Sequence, residues 1–222
     1  LVHIYRFEGE FYPSVTTIIH EMIEEPERLV QWKINNHDWE KQTNKSAIIG
    51  TLVHYRILNG LAAQTLELPD IDFDDIPKDA IKRIELGQIM FDELNLEIGY
   101  PRKIERFSIN KQHKFAGKPD LESPINGKYT LVDLKTSKEI HETHRLQMGG
   151  YHELRDRIFD QAMLISIHPN ERGNAFMRAH TEIIPRDELE KQADRFVEMT
   201  KTFHEKKLTE KLIKENGIKY DD

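Results

Sequence analysis

At 222 residues, 38% hydrophobic and 32% charged, the chain fits one domain, or one domain with a helical elaboration, and carries enough apolar material for a core. No run approaches the roughly 18 apolar residues that a membrane-spanning helix needs. With no cysteine it offers no thiolate zinc site, iron–sulfur cluster or thiol nucleophile, and it suits a reducing compartment such as the cytoplasm. A net charge of −7 weighs against a protein that coats nucleic acid through a broad basic face, although summed charge says nothing about local distribution.

The start, Leu1-Val2-His3, shows no secretory pattern, and the missing initial Met points to residues trimmed upstream. Tyr12-Pro13-Ser14-Val15 carries turn and capping chemistry and predicts a short helix after it. Pro26 suits the first turn of a second helix through Leu29, Val30 and Trp32. Residues 48–61 read as a third, with Ile49, Leu52, Val53 and Ile57 on its apolar side. Residues 68–75 are acidic and proline-punctuated, hence a loop. Helical spacing returns over 78–96 in Ile81, Ile84, Ile89, Phe91 and Leu94.

Near Tyr100 the pattern changes. Residues 103–109, 114–121 and 129–135 are short and strand-like, and 142–159 is helical again. Two further strands, 162–168 and 175–183, are joined by a turn over Pro169-Asn170-Glu171-Arg172-Gly173-Asn174. Residues 186–215 predict a long helix, or two, ended by Asn216-Gly217. Helices, then a mixed sheet with an inserted helix, then helix, is an α/β or α+β order. The expected organisation is a single domain over 1–222: a mainly helical part at 1–99, a sheet with its helix at 100–185, and a C-terminal helix at 186–222.

Asn126-Gly127 is the strongest short hairpin signal. With these residues as the turn, Ile125 faces Lys128 and Asp120 falls opposite Asp133, with Lys118 and Lys135 on the same face. Facing carboxylates repel. Lys135 supplies part of the compensating charge, and a hard divalent cation on the carboxylate oxygens would supply the rest. The bland reading is a solvated polar face. It weakens because Leu131-Val132-Asp133-Leu134-Lys135 sets the charges in an apolar strand, where an uncompensated carboxylate is costly.

Gly50-x-x-x-His54, Gly117-x-x-Asp120, Asp133-Leu134-Lys135-Thr136-Ser137 and Gln147-x-x-x-Tyr151, in this order, resemble the PD-(D/E)XK nuclease superfamily and its RecB-like branch. The resemblance runs from about Pro13 to Tyr151. Within the branch, Tyr12-Pro13-Ser14-Val15-Thr16-Thr17-Ile18 is most similar to mitochondrial genome maintenance exonucleases and their phage and archaeal-virus relatives. The lack of cysteine departs from the iron–sulfur subgroup, so no such cluster is expected.

The resemblance implies an α/β fold with a restriction-endonuclease-like mixed central sheet flanked by helices, behind a helical N-terminal region. It implies Mg²⁺ or Mn²⁺ held by Asp120, Asp133, the Leu134 backbone carbonyl and His54. Lys135 would hold the attacking water, Gln147 and Tyr151 would reach Lys135 or the phosphate, and Glu105 would be an extra metal or water contact. The implied activity is an exonuclease on single-stranded DNA ends in replication, repair or recombination. A structure-specific endonuclease and a non-catalytic DNA-binding subunit are the alternatives.

Other signals read as structural. His141-x-x-His144 is expected to be a solvated pair, and Trp32 and Trp39 to pack between helices, although both could stack bases. Ser14, Thr16 and Thr17 read as caps. Gly149-Gly150 inside a helix costs about 1 kcal/mol each, which requires something to approach that backbone closely; a neighbouring strand or a phosphate would explain it.

Overall fold

A computed structural model describes residues 3–72, 76–169 and 179–216. The expected turn over 170–174, the start of the strand at 175–178, the end of the 68–75 loop and the stop at Gly217 lie outside the described residues. A hairpin of β1 (Ile4–Phe7) and β2 (Glu10–Pro13) comes first, then helices α1 (Val15–Met22), α2 (Glu27–Asn35), α3 (Trp39–Leu61) and α4 (Ala80–Asp92). Short strands follow: β3 (Lys103–Ile104), β4 (Ser108–Asn110), β5 (Phe115–Gly117) and β6 (Leu121–Ile125). The chain continues through β7 (Lys128–Lys135), α5 (Glu142–Glu153), β8 (Gln161–Ser166), β9 (His180–Pro185) and α6 (Arg186–Asn216).

The central sheet has the order β3-β6-β7-β8-β9, and two two-stranded sheets accompany it. Asn126 and Gly127 both take positive φ, 48° and 78°, the geometry of the tight hairpin turn. They set the register Ile125↔Lys128 through Leu121↔Val132. β7 and β8 run parallel, so their connection must cross over, and α5 is that crossover.

Alternation along β7 divides the core. Leu131 packs with Val15, Ile18, Met148 and Phe196 from α1, α5 and α6. Val132 and Leu134 pack with Ile49, Val53, Ile57 and Met90 from α3 and α4. Helices therefore cover both faces of a mixed α/β sheet.

The structure corrects several expectations. The third helix begins at Trp39, well before residue 48. Residues 103–109 and 114–121 are not single strands: β3 and β6 join the central sheet, β4 and β5 form their own. Ile81 and Ile89 are 73% and 54% exposed, and α4 instead buries Ala80, Gly87, Met90 and Phe91. The 142–159 helix stops at Glu153, and Asp156 and Arg157 then take positive φ.

The glycine pair is approached by helices, not by a strand or a phosphate. A Cβ on Gly149 would stand 2.6 Å from the Ala193 backbone nitrogen of α6, and one on Gly150 would stand 2.7 Å from Val15 of α1. The helix-propensity cost is offset by the close packing of α5 on α6.

Candidate active site

β7 places Asp133 and Lys135 on the face that carries Leu131, toward α5. Asp133 is buried, at 3% exposure, and the Lys135 Nζ lies 2.5 Å from its Oδ2. That oxygen has no well-aligned hydrogen-bond donor, so the contact is a close ion pair. Gln147, in the second turn of the facing helix, ties the group together. Its Oε1 accepts from Lys135 Nζ at 2.8 Å, and its Nε2 donates to Asp133 Oδ1 at 3.3 Å and to the Tyr151 hydroxyl at 3.0 Å. Gly117 makes room for that tyrosine: a Cβ there would meet the Tyr151 ring at 2.9 Å.

Asp120 enters differently from the sequence expectation. The β6–β7 ladder ends at Leu121↔Val132, one pair short of Asp120 and Asp133. Pro119 just before it has no N–H to donate. Asp120 thus lies beyond the strand, and its side chain takes over as acceptor: Oδ2 receives the Leu134 N–H at 2.7 Å. Its backbone carbonyl accepts from Glu105 N–H at 3.1 Å. Lys118, expected on the same face, follows the end of β5 and is exposed.

His54 reaches the site from the opposite layer. A Cβ on Gly50, one turn earlier, would stand 2.8 Å from the Thr136 hydroxyl, so glycine lets α3 lie against the residue that follows β7. His54 Nδ1 then stands 3.5 Å from Asp120 Oδ2. Glu105 is exposed, in left-handed backbone at φ 44°, and shares with His54 and Tyr55 the wall of a cavity of about 280 Å³.

The electrostatics follow from crowding. Burial pushes the Asp133 carboxyl up to about 6; Lys135 pulls it down and Asp120 pushes it further up. Burial also pushes Asp120 up, but His54, Lys135 and the Leu134 N–H outweigh it and hold the group below the ordinary range. Burial lowers His54, yet Asp120 and then Asp133 outweigh it and raise its affinity for a proton. Tyr151 is held well above its usual value by burial, then by the two carboxylates.

Among the described residues no three His, Asp or Glu side chains already converge on one point as a metal-binding group. Lys135 occupies Asp133, and His54 occupies Asp120. The donor set nevertheless fits a hard or borderline divalent cation: two carboxylates and an imidazole, with one buried carboxylate oxygen lacking a hydrogen bond. The Leu134 carbonyl and Glu105 remain expectations from the resemblance.

His141 is exposed and His144 half-buried. The His141 N–H donates to His144 Nδ1 at 3.1 Å at the start of α5, and burial with nearby Lys135 lowers His144 to about 4. Sequence reasoning missed a groove of about 880 Å³ beside Gln147, walled by α1, α2 and the start of α5. Its walls come from segments far apart in the chain, and the one local signal was the Leu29, Trp32 pair on one side of α2. Among the described residues no helix is long and apolar enough to cross a membrane.

No family model matches this chain, and no curated protein matches it. Solved structures do. The crystal structure of SSO0001 is 20% identical, with a TM-score of 0.29, over 54% of this chain and 58% of that one. A phage related exonuclease from Haemophilus somnus 129PT is 16% identical, with a TM-score of 0.39, over 89% of this chain and 95% of that one. The chain thus spans little more than half the length of the first. At these values the likenesses assign neither residues nor activity to it.

Proposed function

We propose that this chain is a divalent-metal-dependent deoxyribonuclease of the PD-(D/E)XK kind that degrades single-stranded DNA from a free end, in replication, repair or recombination. One observation carries the reading: Asp133 is buried at 3% exposure and raised to about 6, beside Asp120, with Lys135 and Gln147 on its oxygens. Two carboxylates in one apolar setting are costly unless cations compensate them. Lys135 and His54 compensate in part. Mg²⁺ or Mn²⁺ on Asp120, Asp133, His54 and the Leu134 carbonyl would complete the balance, with Glu105 as an extra contact.

When bound, such an ion supplies Lewis-acid charge at the phosphate and lowers the pKa of water. The protein's own groups set the geometry. Gln147 holds the Lys135 ammonium at 2.8 Å, where it neutralises a phosphate oxygen and orients the attacking water. Tyr151 fixes the Gln147 amide through its hydroxyl, and the Leu134 N–H fixes the Asp120 carboxylate. The motif order from Gly50 to Tyr151 supports the same reading.

The test is an assay on end-labelled linear and closed circular single strands of equal sequence, with Mn²⁺ and with excess EDTA. Degradation of the linear strand alone, abolished by EDTA, is expected. Cleavage that persists in EDTA would refute metal dependence, and rapid cutting of the circle would make the enzyme an endonuclease.

A further inference from the structure

We propose that the groove between α1, α2 and the start of α5 holds the unpaired bases of the strand being cut, with Trp32 as the stacking surface. The strand's identity rests on the nuclease reading above; the groove itself rests on three separate observations. First, α2 buries none of its residues. Leu29 and Trp32, three apart and so on one side of the helix, are 39% and 36% exposed, and both line the groove. A helix that turns apolar residues to solvent is short of a partner, and Trp32 belongs to neither core cluster.

Second, the groove is continuous with the site. Gln147 forms part of its wall and also bonds Lys135 at 2.8 Å and Asp133 at 3.3 Å. An occupant of the groove therefore lies within one side chain of the carboxylates. Third, the lining suits bases more than phosphates. Ile19, Ile23, Leu29 and Trp32 face the space, with Arg28 as a cation in the same wall. Of the two acidic residues there, Glu142 is already paired with Arg145 and Arg195, which leaves Glu24. A flat apolar and aromatic wall beside a cation takes an unpaired base by stacking and its phosphate by charge. A duplex keeps its bases stacked on each other and presents nothing to Trp32.

The chain has two tryptophans, and Trp39 lies under the Lys33 ammonium at 4.8 Å, so Trp39→Phe leaves Trp32 as the sole reporter. In EDTA, oligothymidylate should quench its fluorescence saturably and a blunt duplex should not. Trp32→Ala in the otherwise native chain should raise KM for single-stranded DNA about ten-fold, near the worth of one stacked base. It should leave kcat unchanged, and an abasic strand should show no such difference.

A strand that is cleaved while Trp32 emission and the Trp32→Ala KM stay unchanged would overturn the groove assignment and leave the nuclease reading standing. Quenching without cleavage under any metal would keep the groove and sink the nuclease. Emission that changes with protein concentration alone would give the groove to a second copy of the chain and overturn the proposal.

Discussion

Removing Lys135 does more than delete a cation. It leaves the buried Asp133 without its 2.5 Å partner and frees the Gln147 amide oxygen. Lys135→Ala is expected to lower DNA cleavage by at least about 100-fold, the scale for losing one charge-stabilising donor. Mn²⁺ should still bind in calorimetry, because the carboxylates and His54 remain; loss of all metal affinity would make Lys135 a structural support only. Asp133 makes a pH-dependent prediction in the absence of metal. Its folded-state pKa is raised from 3.8 to about 6, so the folded protein keeps a proton that the unfolded chain has released. That contribution to stability is full below about pH 4 and is lost as pH rises through about 6. The Tm of the native chain minus that of Asp133→Asn, in EDTA, should therefore fall between pH 4 and 6 and then level off. A flat difference would mean that Asp133 is already fully ionised. The sequence made much of this legible, since the Asn126-Gly127 turn gives the register down to Leu121↔Val132. It did not show that Asp120 leaves the ladder, because the acceptor for the Leu134 N–H is a side chain that no pairing rule describes.

At the scale of elements, the α5–α6 contact depends on a missing side chain. Gly149→Ala would drive a Cβ into the backbone of Gln192 and Ala193, where nothing can rotate away, and is expected to destabilise the fold by about 3 kcal/mol or more. Gly60, in α3, has open space at the same position, so Gly60→Ala should stabilise by about 0.5 kcal/mol through helix propensity. Urea denaturation of the two variants checks both signs, and equal effects would refute the packing argument. Periodicity found the second half of α3, which buries Ile49, Val53 and Ile57 over several turns. It did not find β1 to β5 as they stand, because strands of two to four residues are too short to show a period. The cue for the first hairpin was Glu8-Gly9, both at positive φ, between aromatic-rich arms. The burial of α4 was misread because Ile81 and Ile89 look like a core face while Gly87 packs on Val53.

Across the whole molecule, the sheet gathers the site from both of its layers. His54 comes from the α3 side, Gln147 and Tyr151 from the α5 side, and the carboxylates meet at the C-terminal end of β7. Six residues spread from His54 to Tyr151 thereby share one locality, an arrangement legible as motif order but not as geometry. Of the groove, the Leu29, Trp32 pair alone was legible, since only the fold brings α1, α2 and α5 together. On the proposed reading, a net charge of −7 would leave DNA affinity to this local surface and not to a broad basic footprint. The most direct measurement compares the native chain with Asp133→Asn on end-labelled single-stranded DNA in Mn²⁺, following strand binding by anisotropy and cleavage by gel. The account predicts that both bind the strand and only the native chain cuts it, with EDTA reducing the native chain to the level of the variant. Cleavage by Asp133→Asn near the native rate would contradict it.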